Sequence, residues 1–178
     1  SCISSEYEVL IIDNFSEDIS DFQSDTVTVI QNTKNTGFAT AANKAARNAQ
    51  GEWLVFLNPD TQVQGNLTEV LDTCSRSVGI VGFALEGKQG RQTHQYGFFP
   101  HVFHFISGMT YTLPADRQTW CYTDWVSGAA LAIRREVFQK VNGFDSRFFL
   151  YYEDIDLAKR VLAEGYQVIW TPEKTVWH

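Results

Sequence analysis
The chain has 178 residues, 44% hydrophobic, 14% aromatic and 20% charged, a balance that suits one globular domain with a sizeable core. Its 14 Lys and Arg against 21 Asp and Glu give a net charge of −7, which argues against a nucleic-acid or anionic-membrane surface, since both need a basic patch. No apolar run approaches the ~20 residues of a membrane helix, and Cys2, Cys74 and Cys121, odd in number and without metal-type spacing, read as free thiols of a reducing compartment.

The first apolar run, "YEVLIIDN", is nearly continuous and predicts a strand covered on both faces, as in a parallel sheet. "DTVTVIQN" predicts a second, β-branched strand. After the loop "TKNTG", the Ala-rich "FATAANKAARNAQG" predicts a helix closed by Gly51. "EWLVFLN" is the third strand, "LTEVLDTCSRS" a short amphipathic helix, and "VGIVGFAL" a further strand. Alternation of strand and helix is the pattern of an α/β sheet with right-handed crossovers. The chain opens without an initiator methionine or a signal-peptide pattern. With a core-like strand so near its start, we expect a piece of a longer protein, an anchor or further domain lying outside it.

Residues 86–124 differ: rich in Gly, Gln, His, Tyr and Phe, without a clean period, they predict an irregular binding segment with a hairpin around "THQYGFFP". Then "GAALAI" predicts a strand, residues 134–141 a helix ended by Gly143, and "EDIDLAKRVLAEG" a helix with acids in its first turn and Gly165 after its last. "YQVIW" and "TVWH" predict two short closing strands. No internal repeat is visible.

Asp60, in "WLVFLNPDTQV", has two readings. Asn, Pro and Asp all favour turns. Yet ligands of open α/β sheets bind beyond the carboxyl ends of the strands, and a carboxylate there can hold Mg²⁺ or Mn²⁺, whose remaining positions take phosphate oxygens and water. Glu153, Asp154 and Asp156 likewise either complement a helix dipole or include a general base, walled by the aromatic run Phe148 to Tyr152, which would raise its pKa. The helix N-terminus acts in the opposite direction. His94, His101 and His104 match no zinc spacing and read as loop or acceptor-site residues. The chain carries no GxGxxG, no GK[ST] and no GxSxG, which removes the dinucleotide, P-loop and hydrolase-elbow readings.

Taken in order, "EVLIIDNFSED", "NTGFATAANKAARNAQGEWLVFLNPDTQV", "VSGAALAIRREVFQKVNGFDSRFFLYYEDIDLAKRVLAEGYQVIW" and "TVWH" resemble the family 2 glycosyltransferases of the GT-A fold, and among them the rhamnosyltransferase-like branch that builds bacterial surface polysaccharides. The resemblance implies an α/β, Rossmann-like nucleotide-diphospho-sugar transferase with a mixed sheet flanked by helices. It divides the single domain into a nucleotide-binding half (1–85), an acceptor-side segment (86–124) and a catalytic half (125–178). It implies that the Asp-x-Asp metal motif falls on Asn58–Pro59–Asp60, with Asp60 and His178 ligating Mg²⁺ or Mn²⁺ and Asn58 contacting ribose or sugar. Asp13 would bind the base or ribose, Asn35, Gly37 and Asn43 would shape the nucleotide pocket, and Gly128 would admit the donor sugar. Asp154 would be the catalytic base of a single inverting displacement. The donor would be a nucleotide-diphosphate sugar, dTDP-rhamnose or a UDP-sugar, and the acceptor a saccharide or lipid-linked saccharide. The Gln-x-x-Arg-Trp mark of processive synthases is absent from "EGYQVIW", so addition of one or a few sugars is expected. The expected setting is cytoplasmic, with membrane association through segments outside this stretch.

One departure stands out: the family begins with a further βα unit ahead of "EVLIIDN" that supplies part of the base-binding wall. Its absence predicts an exposed sheet edge, a route to self-association. Two alternatives to the transferase remain: a truncated binding or assembly module without turnover, and a nucleotidyltransferase, for which the basic Gly-rich loop is missing.

Overall fold
β-Branched runs and alternating apolar positions fold as a mixed sheet with helices packed against it in the computed structural model, which describes residues 7–16, 27–88, 90–92, 94–99, 113 and 117–178. In chain order the elements are β1 (Val9–Asp13), β2 (Val27–Gln31), α1 (Phe38–Asn48), β3 (Trp53–Leu57), β4 (Gln62–Gln64), α2 (Thr68–Leu71), β5 (Val78–Gly87), β6 (Gly90–Arg91), β7 (Tyr96–Gly97), β8 (Cys121–Tyr122), β9 (Trp125–Val126), β10 (Ala130–Arg134), α3 (Arg135–Lys140), α4 (Glu153–Ala163) and β11 (Gln167–Trp177). The main sheet runs β3-β10-β5-β11-β4, with β6 on β5 and β8 on β11. β1 and β2 form a separate parallel pair, and β7 pairs with β9.

The sheet is mixed: β10 is antiparallel to both β3 and β5, while β11 is parallel to β5. β5 explains why its sequence is apolar without interruption. Ile80 and Ala84 point into one core cluster, shared with α1, α3 and α4, whereas Val81, Phe83 and Leu85 point into a second, shared with α2. Successive side chains of a strand face opposite ways, so a strand buried on both faces needs apolar residues at every position. β1 does not meet the same expectation. Its residues Val9 to Ile12 are only half-buried, because it stands outside the main sheet.

Several boundaries depart from the expectations. The helix predicted over residues 67–77 contracts to α2, Thr68–Leu71. The Arg134 guanidinium accounts for this: it donates to the carbonyls of Cys74 and Ser75 and to Val78 O, drawing that backbone away from helical partners. Gly51 does not cap α1; the C-cap is Ala49 in an extended conformation. Gly143 and Gly165 do adopt the left-handed conformation, φ 69° and 83°, that ends α3 and α4. The two closing strands are one, β11, with an irregularity between Thr171 and Thr175, around Pro172, where a missing N–H breaks the ladder. The hairpin expected around residues 93–100 is replaced by two pairings. β5 turns tightly into β6, while Tyr96–Gly97 pairs far along the chain with Trp125–Val126. Burial of the Tyr96 ring stacked 4.1 Å from Trp170 outweighs the local turn preference. His101, His104 and Cys2 lie outside the described residues; His94 is exposed.

Arg134 is the most heavily engaged buried charge. It is 4% exposed, pairs with Glu52 at 2.7 Å and lies 4.3 Å over the Trp53 ring. Arg134→Met leaves three carbonyls without their donor, at about 1–3 kcal/mol for each buried group left unpaired. We expect a loss of roughly 3 kcal/mol, read as a melting temperature lowered by about 6–12 °C in a thermal scan.

Candidate active site
The loop between β2 and α1 is built by asparagines. Asn14 Oδ1 accepts from the Thr36 N–H at 3.0 Å and from Asn32 Nδ2 at 3.2 Å, and Asn14 Nδ2 donates to Asn35 Oδ1 at 2.9 Å. Asn35 Oδ1 also takes the Gly37 N–H at 2.9 Å. Short polar side chains that bond nearby backbone favour such turns. Asp13 ends β1 beside this loop, 5% exposed. Ser16 N–H donates to its Oδ1 at 2.9 Å, and hydrogen bonding from Ser16 holds the carboxyl below its usual pKa. Its Oδ2 is buried without a partner among the described residues. A buried acceptor of this kind is unusual in a native structure and is suited to a donor hydroxyl or ring N–H of a ligand.

Gly37 sits where no side chain fits. Its φ is +78°, and a Cβ there would lie 2.6 Å from Phe149 O, the carbonyl that accepts the Phe38 N–H at 2.9 Å. Gly37→Ala combines that overlap with a left-handed backbone costing roughly 1–2 kcal/mol. We expect it to lower stability by at least that amount and to push residues 148–150 outward, visible as faster amide exchange at Phe38.

Asn35, Gly37, Asn58, Phe149 and Leu150 line one cleft of about 680 Å³. Asn43 does not line it. Its side chain donates to Phe144 O at 2.7 Å and accepts from Phe144 N–H at 2.9 Å, fastening α1 to the turn after α3. Its part in the pocket is indirect, through the loop it holds.

At the carboxyl end of β3 the chain turns through Asn58 and Pro59, with Thr61 N–H bonded to Asn58 O at 3.1 Å, so the turn is formed. Asp60 projects from this turn, 71% exposed along its side chain, and His178 Nε2 lies 3.4 Å from its Oδ1. The same nitrogen is 3.4 Å from Asn58 Nδ2, although 120 positions separate the two residues. β11 delivers His178, whose N–H donates to Glu86 O at 2.8 Å. Gln92 fixes the ring's far side: its Nε2 donates to His178 O at 2.9 Å, and its Oε1 stands 3.4 Å from Nδ1. A ligating histidine characteristically has such a partner at its second nitrogen.

The predicted base is tied to this corner. Asn58 N–H donates to Ala129 O at 3.1 Å, and the adjacent Gly128 N–H donates to Asp154 Oδ2 at 2.8 Å. The β3–β10 ladder, which pairs Leu57 with Ala130, therefore sets the Asp154 carboxyl one peptide away from the Asn58–Asp60 turn. A Cβ on Gly128 would meet Asp154 at 3.5 Å, an ordinary contact, so the carboxyl's position does not itself demand a glycine. Burial pushes the Asp154 pKa up, against the hydrogen bonds from Gly128 and Ile155. Phe149 to Tyr152 do not supply that burial: they are 54–71% exposed, and Tyr151 and Tyr152 both hold positive φ, 70° and 69°. The aromatic run is an open surface beside the base rather than a dry wall.

Sequence reasoning passed over Gln92 and Asn14, which position rather than ligate; the "DN" ending β1 and the Asn-rich loop were the available signal. It also left Glu153 undivided from its neighbours. Glu153 is 6% exposed, its Oε2 has no partner among the described residues, and burial, with Asp154 nearby, raises its pKa. The folded state then binds the proton more tightly than the unfolded one, so stability falls as pH rises from the unfolded pKa through the folded one. We expect Glu153→Gln to gain melting temperature over the parent at neutral pH and to lose most of that advantage in mild acid.

Asp60 and His178 could hold an octahedral divalent cation only with a diphosphate and water filling its other positions; no group of three or more His, Cys, Asp or Glu suited to a metal occurs among the described residues. No helix among them is long and apolar enough to cross a membrane.

Comparison with known proteins agrees with this geometry. The model of Glycosyl transferase family 2 matches residues 1–141, and that of the N-terminal domain of galactosyltransferase matches residues 117–176. The O-antigen biosynthesis protein RfbC of Myxococcus xanthus is 33% identical over 147 residues, 76% of this chain and 12% of that protein. The N-acetylglucosaminyl-diphospho-decaprenol L-rhamnosyltransferase of Mycobacterium tuberculosis is 28% identical over 81% of this chain and 56% of its own length. The rhamnosyltransferase WbbL of Escherichia coli is 29% identical over 71% and 52%. The chain thus spans about half the length of these two relatives, and far less of RfbC. Among solved structures, GalNAc-T7 with UDP, GalNAc and Mn²⁺ superposes with a TM-score of 0.71 at 15% identity, covering 96% of this chain and 37% of that one. A mannosyltransferase from Pyrobaculum calidifontis with GDP-Man and Mn²⁺ gives 0.65 at 22% identity, covering 96% and 47%. The fold is that of the GT-A glycosyltransferases, and the chain belongs to glycosyltransferase family 2.

Proposed function
We propose that this domain transfers a sugar from a nucleotide-diphosphate sugar to a hydroxyl of a saccharide or lipid-linked saccharide acceptor, with inversion at the anomeric carbon. The relatives named as rhamnosyltransferases and as an O-antigen biosynthesis protein favour a rhamnosyl donor and a role in bacterial surface polysaccharide synthesis; dTDP-rhamnose, or a UDP-sugar, is the donor we propose. The observation that carries the reading is the hydrogen-bonded corner that ties Asp60 and His178, through Asn58, Ala129 and Gly128, to Asp154. Asp13 and the Asn35–Gly37 loop hold the nucleoside; Asn58 reaches toward ribose or sugar. Asp60 and His178 would hold Mg²⁺ or Mn²⁺, which would supply charge stabilisation for the departing nucleoside diphosphate. Asp154 takes the proton from the acceptor hydroxyl as that oxygen attacks the face opposite the leaving group. Burial raises its pKa and makes it a stronger base than an ordinary aspartate. Hydrogen bonding from Ser16 holds the Asp13 pKa down, which favours its ionised form as a binding group.

Titration calorimetry with uridine and deoxythymidine diphosphates tests the donor site. Binding of one of them with Mn²⁺, and its loss on chelation, is the expected result. Binding that is indifferent to metal, or none, counts against the assignment.

A further inference from the structure
The metal pair and the base reach the corner from different strands, and the short connection between β6 and β7 is bonded to both sides. Gln95 is the buried member of that connection, 2% exposed. Its side-chain Oε1 accepts the Leu85 N–H at 2.6 Å, and its Nε2 donates to the carbonyl of Gln92. Gln92 N–H in turn donates to Leu85 O at 2.9 Å, so the same connection takes both backbone groups of Leu85. Leu85 pairs with Val176, close to His178 at the end of β11, and Gln92 is the residue behind the His178 ring. The backbone of Gln95 serves the base. Its carbonyl accepts the Ser127 N–H at 2.8 Å, and the next residue, Gly128, gives its N–H to Asp154.

A glutamine suits this place because its amide carries an acceptor and a donor on one planar group. A single buried side chain thus satisfies an N–H of β5 and a carbonyl of its own connection. The connection is also held in an uncommon shape. His94 has φ 61°, rare for a residue with a side chain, and such backbone persists where the surrounding bonds over-determine it. None of the partners of Gln95 belongs to β1 or β2.

We propose that Gln95 is a positioning residue that couples the metal pair to the base. Its amide sets the Gln92 carbonyl and, through Gln92, the His178 ring. Its backbone carbonyl sets Ser127 and, through Gly128, the Asp154 carboxyl. A displacement of either arm is felt by the other through this one residue. The inference rests on the assignment of Asp60 and His178 as metal ligands and of Asp154 as the base.

Two readouts test the two arms. Mn²⁺ binding by the 178-residue chain, with uridine or deoxythymidine diphosphate present, is read from the electron paramagnetic resonance signal of free Mn²⁺; amide exchange is followed in the metal-free chain. Gln95→Met keeps an unbranched side chain of similar length and removes both side-chain hydrogen bonds. We expect Mn²⁺ affinity to fall by about 10–100-fold, the range of outer-shell partners of metal ligands. Exchange at Ser127 and Gly128 should rise roughly tenfold, with Ile133 in β10 changing less. In Gln92→Ala the same substitution should cost less than about twofold in further Mn²⁺ affinity, because its effect on the metal passes through Gln92. Arg134→Met, which also loses buried hydrogen bonds, is the control for destabilisation and should keep the parent's Mn²⁺ affinity. Parent-like Mn²⁺ affinity in Gln95→Met, a loss that adds in full to that of Gln92→Ala, unchanged exchange at Ser127 and Gly128, or an equal loss of affinity in Arg134→Met each overturns the proposal. Failure of the underlying assignment looks different: the parent itself then shows no nucleotide-dependent Mn²⁺ binding, and the coupling falls with it.

Discussion

Asp154→Asn is expected to abolish sugar transfer while leaving nucleotide binding intact. The amide preserves shape, and its oxygen can still accept the Gly128 N–H that now meets Oδ2 at 2.8 Å, so the loop and α4 should hold their positions. What disappears is the proposed proton acceptor, and general-base catalysis typically contributes 10²–10⁴-fold; we expect kcat to fall by about that factor with donor affinity unchanged. The parent's pH profile carries a second signature. Because burial raises the Asp154 pKa, activity should fall on the acid side at a pH above that of an ordinary aspartate, as the carboxyl takes up its proton. Mutating the exposed Tyr151 or Tyr152 should leave that limb in place, since they do not bury the carboxyl. Full transfer by Asp154→Asn would remove it as the base.

The second large effect belongs to the metal pair. Asp60→Ala and His178→Ala should each remove metal-dependent diphosphate binding, by more than the roughly 10–100-fold that outer-shell partners of metal ligands are worth. Gln92→Ala, which removes only the support behind the His178 ring, should fall within that 10–100-fold range. Asn58 supplies an amide where the family's motif has a first acid, so Asp60 is the only carboxylate of the turn, and its loss has no neighbour to compensate it. His178 is the more discriminating variant. Its side chain is 25% exposed, so a melting scan of His178→Ala separates a binding defect from a folding defect.

What the sequence made legible follows from where the physics is local. β5, β10 and α4 were readable because burial on two faces, or on one helical face, imposes a period on consecutive residues. The glycines at 143 and 165 were readable as helix ends for the same reason. Pairing between distant segments was not. Nothing near Tyr96 announces Val126 as its strand partner, or Trp170 as a ring to stack on, and nothing near Ser75 announces that Arg134 will take its carbonyl and shorten a helix. The site divides in the same way. Asp60, Asp154 and His178 came from a resemblance that fixes their order in the chain. The corner that joins them consists of backbone contacts from Asn58 to Ala129 and from Gly128 to Asp154, which have no residue-type signature. Asn43 was expected to shape the nucleotide pocket; its bonds to Phe144, which fasten α1 to the turn after α3, had no signal in the sequence.

The central claim, inverting transfer from a metal-bound nucleotide-sugar, is tested most directly by the product itself. The chain is incubated with Mn²⁺, candidate donors including dTDP-rhamnose, and a saccharide or lipid-linked acceptor, and the new glycosidic bond is assigned by proton NMR. The account predicts one equivalent of nucleoside diphosphate released for each bond formed, with the anomeric configuration opposite to that of the donor. A product that retains the donor's configuration would contradict it.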